Sequence, residues 1–236
     1  MTNLSRSVAL CCALLWFFAP SAAGQDYQPI IDHYSQEADV YSPIYNGKFP
    51  PQYHSRYLGT FYLDSEEFLP GTVVYNGKLY TDVELNLNAH LDELYIVIRK
   101  YHTQSVMLKD YVSEFTIGDK AFTKILFKDW PGAPREGYFQ VLHNGERIKV
   151  FKWTHKSYNK ANPSETQASY VFDSRFFYYV VKDGVFIPVK NKGSFLKALS
   201  SHKKEVKDYI GQHKLILKKE ARDQSFAACA AYYETL

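Results

Sequence analysis

The stretch Gly71-Thr72-Val73-Val74-Tyr75-Asn76-Gly77-Lys78-Leu79-Tyr80-Thr81-Asp82-Val83-Glu84-Leu85-Asn86-Leu87-Asn88 decides how the chain is read. At its centre Asn76-Gly77 stands between two apolar runs, and both residues accept the positive φ angles that a two-residue hairpin turn requires. Downstream, Val83, Leu85 and Leu87 alternate with Asp82, Glu84, Asn86 and Asn88, the period-two pattern of a strand with one packed and one wet face. An antiparallel hairpin lying on a core follows.

The same turn signal returns at Asn46-Gly47, Asn144-Gly145 and Asp183-Gly184, so a meander is expected. β-branched and aromatic residues predict further strands over 94–101, 105–109, 112–117, 121–127, 137–143, 147–152, 170–181 and 185–189. Gly118-Asp119 and Trp130-Pro131-Gly132-Ala133-Pro134 read as intervening loops, and the polar stretch 157–166 as a long exposed hairpin loop. About ten to twelve strands result, a number that curls into a barrel or folds into a sandwich.

After Gly193 the period becomes helical. Ser194 is the expected cap, Phe195, Leu199, Val206, Tyr209 and Ile210 share a face, and Gly211 ends the helix. A second helix over 219–233 aligns Phe226, Cys229, Ala230 and Tyr233. The expected fold class is α+β: an antiparallel β meander over 53–190, then a C-terminal two-helix hairpin over 191–236 packed on the sheet. Residues 25–52, rich in Tyr and carrying Pro29, Pro43, Pro50 and Pro51, form an N-terminal extended segment.

Residues 1–24 read as a signal peptide. Arg6 gives a positive start, Val8 to Phe18 is an apolar run too short to span a bilayer, and Ser21-Ala22-Ala23-Gly24 offers small residues for cleavage after Ala23 or Gly24. Lipid attachment at Cys11 is disfavoured, because Leu10 sits where a small residue is needed. Export to the periplasm or the outside is expected, with no transmembrane segment in the mature chain. Removing 24 of 236 residues leaves 212, enough for a core without staples. Cys229 is then the last cysteine, so no intramolecular disulfide forms, and its small apolar neighbours point to a buried thiol. Without Arg6 the count is 27 Lys and Arg against 25 acids, which gives nucleic acid no strong attraction. Lys190, Lys192, Lys197, Lys203, Lys204, Lys207, Lys214, Lys218 and Lys219 crowd the C-terminal part and read as a solvated helix face.

Chemistry is sparse. His33, His54, His90, His102, His143, His155, His202 and His213 show no metal-ligand spacing, and no Gly-x-Ser-x-Gly elbow or Gly-rich phosphate loop occurs. No cofactor, metal or catalytic residue is expected. The acid clusters Asp64, Glu66, Glu67 and Asp92, Glu93 keep a hydrolase open, which needs two carboxyls about 5 to 10 Å apart with one raised pKa. The 20 Tyr and 16 Phe are the stronger hint, and Phe176-Phe177-Tyr178-Tyr179 puts a Phe and a Tyr on each face of one strand. Candidate ligand-binding residues are Trp130, Trp153, Tyr158 and Tyr178. The leading reading is a non-enzymatic envelope protein that binds a partner protein, peptide or glycan through an aromatic face or its basic helices. A carbohydrate-binding module is the alternative, and it calls for three coplanar Tyr or Trp on one exposed face.

Several segments together carry a resemblance. The run Gly71 to Leu85, then Asp92-Glu93-Leu94, Val112-Ser113-Glu114-Phe115, the strand pair from Tyr178-Tyr179-Val180 to Val189, and the ending Tyr232-Tyr233-Glu234-Thr235-Leu236 resemble exported β-rich envelope proteins of Bacteroidota-type bacteria. The resemblance touches most of the mature chain. It implies an envelope location and a β-then-α order, and carries no activity or catalytic residue with it.

Overall fold

The computed structural model describes residues 42–53, 56–162, 164, 168–218 and 221–236. The segment 1–24 expected to be a signal peptide, residues 25–41 with His33, His54, Pro163 and Lys219 lie outside the described residues. The described part falls in one unit, Tyr41–Leu236.

The decisive stretch forms the hairpin. Asn76 and Gly77 take φ of 50° and 76°, the pair of left-handed angles whose twist matches that of the flanking strands. Among the described residues eleven strands make one sheet: β1 (Tyr57–Leu58), β2 (Leu69–Tyr75), β3 (Lys78–Asn88), β4 (Glu93–Ile98), β5 (Thr103–Val106), β6 (Val112–Ile117), β7 (Lys120–Ile125), β8 (Gly137–Asn144), β9 (Ile148–Lys160), β10 (Tyr170–Lys182) and β11 (Val185–Val189). Their order is β1-β10-β9-β8-β7-β6-β2-β3-β4-β5, with β11 also paired to β10. All pairings are antiparallel except β1 with β10. The path stays open. Three helices follow: α1 (Lys192–Ala198), α2 (Lys203–Gln212) and α3 (Arg222–Glu234). The α+β class expected from the sequence is thus the fold.

Some details differ from the sequence reading. Of the four turn dipeptides, Asn76-Gly77 and Asp183-Gly184 make tight two-residue hairpins, the second with φ of 51° and 75°. Asn144-Gly145 instead opens a wider turn, in which the Gly145 N–H donates to the Ile148 carbonyl. Asn46-Gly47 follows a 3-10 turn at Pro43–Tyr45 and leads into Lys48, which bridges Val106 on the edge of β5. The expected long loop is shorter, because Ser157 to Lys160 continue β9 and pair with β10 up to Tyr170–Lys160. Two long partners held in register keep even polar residues in the ladder.

The face of β3 expected to be wet is dry at its far end. Asn86 and Asn88 are buried because the segment through Tyr62 and Phe68 crosses over them. Asn86 Nδ2 donates to the carbonyls of Ser65 and Glu67, both at 2.9 Å. Asn88 Oδ1 accepts from the His90 and Leu91 amides at 3.0 Å, and its Nδ2 donates to Tyr95 Oη at 3.0 Å. Amides survive burial only when so bonded.

The C-terminal two-helix hairpin is corrected to three helices. Asn191, not Ser194, is the cap of α1; Ser194 completes a capping box as its third residue. A 3-10 turn at Ser200–His202 then breaks the helical run, Gly211 lies inside α2, and Lys214 takes the left-handed turn, φ 51°. The apolar stripe of α3 is as read: Phe226, Cys229, Ala230 and Tyr233 are buried, with Ile148, Val150, Tyr178 and Val180 in the same cluster. The eight described C-terminal lysines are all exposed. No helix among the described residues is long and apolar enough to cross a membrane.

Candidate functional site

On β10 burial changes sharply between Phe177 and Tyr178. Asp173 to Phe177 are exposed, whereas Tyr178 to Val181 are buried. The buried half is packed on both faces: Tyr178 and Val180 meet the helices, while Tyr179 and Val181 join Phe139, Phe151 and Phe186 beneath Trp130. Where that cover stops, Phe176 stands out on the helix side, 51% exposed, and Phe177 on the other, 38% exposed.

Phe176 lines a cleft of about 970 Å³ between the sheet and the start of α3. Its walls carry Asp64, Asp119, Lys120, Gln140, Lys152, Arg222 and Asp223, with Tyr178 in the floor. The polar groups are wired together. Asp223 accepts from Lys152 Nζ at 2.5 Å and from Tyr178 Oη at 2.8 Å. Lys120 donates to Asp64. Lys152 Nζ also lies 4.7 Å from the Phe176 ring centre, and the Arg222 guanidinium 5.2 Å from that of Tyr178. Burial first, then the Asp223 bond and charge, push the Tyr178 phenol well above its ordinary range, so it stays a donor.

On the opposite face Phe177 stacks on Trp153 at 4.7 Å, and Trp153 on His155 at 5.4 Å. Arg135 covers the Trp153 ring at 4.2 Å. Burial, then His90 and the neighbouring arginines, lowers the His155 pKa. A third cluster lies at the far end of β9 and β10, where Tyr158 stacks on Tyr170 and Phe172 and meets Tyr53 edge-on.

The four sequence candidates therefore do not converge. Trp130 and Trp153 pack against one cluster, Trp130 edge-on to Phe151 and Phe186. Tyr178 lies on the other face, buried, and Tyr158 belongs to the third cluster. Sequence reading missed Phe176, Lys152, Arg222 and Asp223 as site residues. Arg222 and Asp223 carried a signal: they stand four and three positions before Phe226, one turn up the stripe that faces the sheet.

Of the acid clusters, Asp64 reaches the cleft and Asp92 is buried in a structural network. Asp92 accepts from Lys109 Nζ at 2.6 Å, Arg135 Nη2 at 3.1 Å and the Tyr138 amide at 3.3 Å. The carboxyls that shift clearly, Asp82 beside Arg99 and Glu234, both shift down. Among the described residues no group of three His, Cys, Asp or Glu side chains is placed to hold a metal ion. Comparison with protein-family models, curated proteins and solved structures gives no match.

Proposed function

We propose that the protein is an exported, non-enzymatic binding protein of the cell envelope whose cleft between β10 and α3 takes a segment of a partner polypeptide. One observation carries this reading: Phe176 stands half exposed in a cleft whose lining holds charges of both signs. An apolar anchor within a polar, charged rim is the composition of a protein contact. The apolar leader and the small residues after it support export.

The second reading, a sugar-binding face, draws on the row Phe177, Trp153, His155. That row holds one Trp where three Tyr or Trp rings are called for, and Arg135 already occupies a face of it.

Peptide display against the purified protein, followed by fluorescence polarisation with a selected peptide, tests the proposal. Replacing Phe176 with Ala should weaken binding about tenfold or more while the melting temperature moves by only a few degrees. Selected peptides that bind the Phe176→Ala protein equally well would overturn the cleft as the site. Binding on a glycan array that is abolished by Trp153→Ala would favour the sugar reading.

A further inference from the structure

One edge of β10 is covered at both ends and bare between them. β9 takes the opposite edge along its whole length, from Tyr170 to Lys182. On the edge away from β9, β1 pairs as far as Val171 and β11 begins at Tyr178. Positions 172–177 therefore have no strand beside them there, a gap of about 20 Å at the usual rise of about 3.3 Å per residue. Asp173 to Phe177 are exposed without a break, side chains of both faces alike.

Successive residues of a strand turn their backbone groups to its two edges by turns, and three contacts fix the phase in β10. The Tyr170 amide donates on the bare edge to the Arg56 carbonyl at 3.2 Å. At the other end Lys182 and Val185 close the two-residue turn at Asp183-Gly184, which makes them a hydrogen-bonded pair. The register with β9 runs without a shift from Tyr170 to Lys182, so the even-numbered residues of β10 all bond on this edge. β9 agrees: its Lys156 amide is directed away from β10, to the Ala89 carbonyl at 3.1 Å, which leaves His155 and Ser157 to bond Arg175 and Asp173. Ser174 and Phe176 hence aim both N–H and C=O into the gap, where no described strand meets them.

We propose, on the footing of the peptide-binding cleft above, that the partner polypeptide adds a short extended segment to this edge, between β1 and β11, and bonds Ser174 and Phe176. A row of alternating donors and acceptors in the plane of a sheet is matched by another extended backbone. A second copy of this chain does not supply it through β10, because that strand runs thirteen residues, Tyr170–Lys182, and its ends would collide with β1 and β11. A free segment of about six residues fits the gap. Side chains narrow its chemistry. Asp173 and Arg175 share the face of Phe177, and neither forms a salt bridge with a described residue. A residue of an added strand points to the same face as the residue it opposes, so a base opposite Asp173, an acid opposite Arg175 and an apolar residue opposite Phe176 complement the edge.

A backbone N-methyl scan of the display-selected peptide, read by fluorescence polarisation, tests it. Each methyl group removes one N–H, so strand addition predicts a period of two: methylation at every second central position weakens binding about tenfold or more, and the positions between tolerate it. Amide exchange followed by NMR gives the same test from the protein's side. The Ser174 and Phe176 amides should slow on binding, while those of Asp173, Arg175 and Phe177, already bonded to β9, change little. A peptide that needs Phe176 but shows no two-residue period, or leaves the Ser174 and Phe176 amides as fast as before, overturns strand addition and leaves the cleft standing. A peptide that binds the Phe176→Ala protein equally well overturns both.

Discussion

At the scale of single residues, the most instructive side chain is Lys156. It is 6% exposed, forms no salt bridge with any described residue, and burial lowers its pKa from the ordinary 10.5. A lysine whose folded pKa lies below its unfolded value costs stability at neutral pH, and that cost is relieved as pH rises from the folded pKa to the unfolded one. We expect Lys156→Met to gain on the order of 1 kcal/mol at pH 7 in denaturant titrations, the gain shrinking as pH rises towards 10.5 and gone above it. Cys229 offers a chemical check. It is fully buried and its thiol is pushed up to about 11 by burial, so a thiol reagent at pH 8 should leave it unmodified until the chain unfolds. The sequence disclosed Cys229 through its small apolar neighbours. Nothing in it disclosed Lys156, which lies in a strand among polar residues and is buried by packing from segments distant in the chain.

At the scale of elements, turns and stripes were legible while their partners were not. Gly77 and Gly71 show the difference. Gly77 has φ +76° and nothing within 4 Å of an added Cβ, so Gly77→Ala should cost only the left-handed penalty, about 1 kcal/mol. Gly71 lies where β2 meets β6, and an added Cβ would stand 2.0 Å from the Thr116 carbonyl oxygen. Gly71→Ala should therefore cost several times more, about 3 kcal/mol, measured as a drop in unfolding free energy. The dipeptide Asn76-Gly77 announces the first; the second depends on a strand pairing that joins residues forty-odd positions apart. Likewise Phe226, Cys229, Ala230 and Tyr233 announced the buried stripe of α3, but not the clamp at its end. There Glu234 accepts from the Ile148 and Arg147 amides at 3.0 and 3.2 Å. Burial pushes the Glu234 carboxyl up, and these amides with His143 outweigh it, so its pKa falls below the ordinary 4.5. Stability from a depressed carboxyl is present above the unfolded pKa and lost as pH falls through the folded one. Glu234→Gln should thus lower stability at pH 7 by about 1 kcal/mol, with the difference shrinking as pH falls below the ordinary 4.5.

At the scale of the whole molecule, composition and periodicity fixed the class and the order of elements, because both arise from local chemistry. The strand order, the crossing of β1 beside β10 and the cover over Asn86 and Asn88 arise from contacts between distant segments, which no local pattern encodes. The same limit explains the candidate site. The four aromatics Phe176 to Tyr179 were visible as a two-faced strand, yet only the position of α3 on one face and of Trp130 and Phe186 on the other determines that the tyrosines are buried and the phenylalanines bare. The most direct measurement is hydrogen–deuterium exchange of the protein alone and with a display-selected peptide. The account predicts slow exchange at Tyr178 to Val181 in both states, faster exchange at Asp173 to Phe177 in the free protein, and protection gained on binding at Phe176 and the first turn of α3. Protection gained elsewhere, with those amides unchanged, would contradict it.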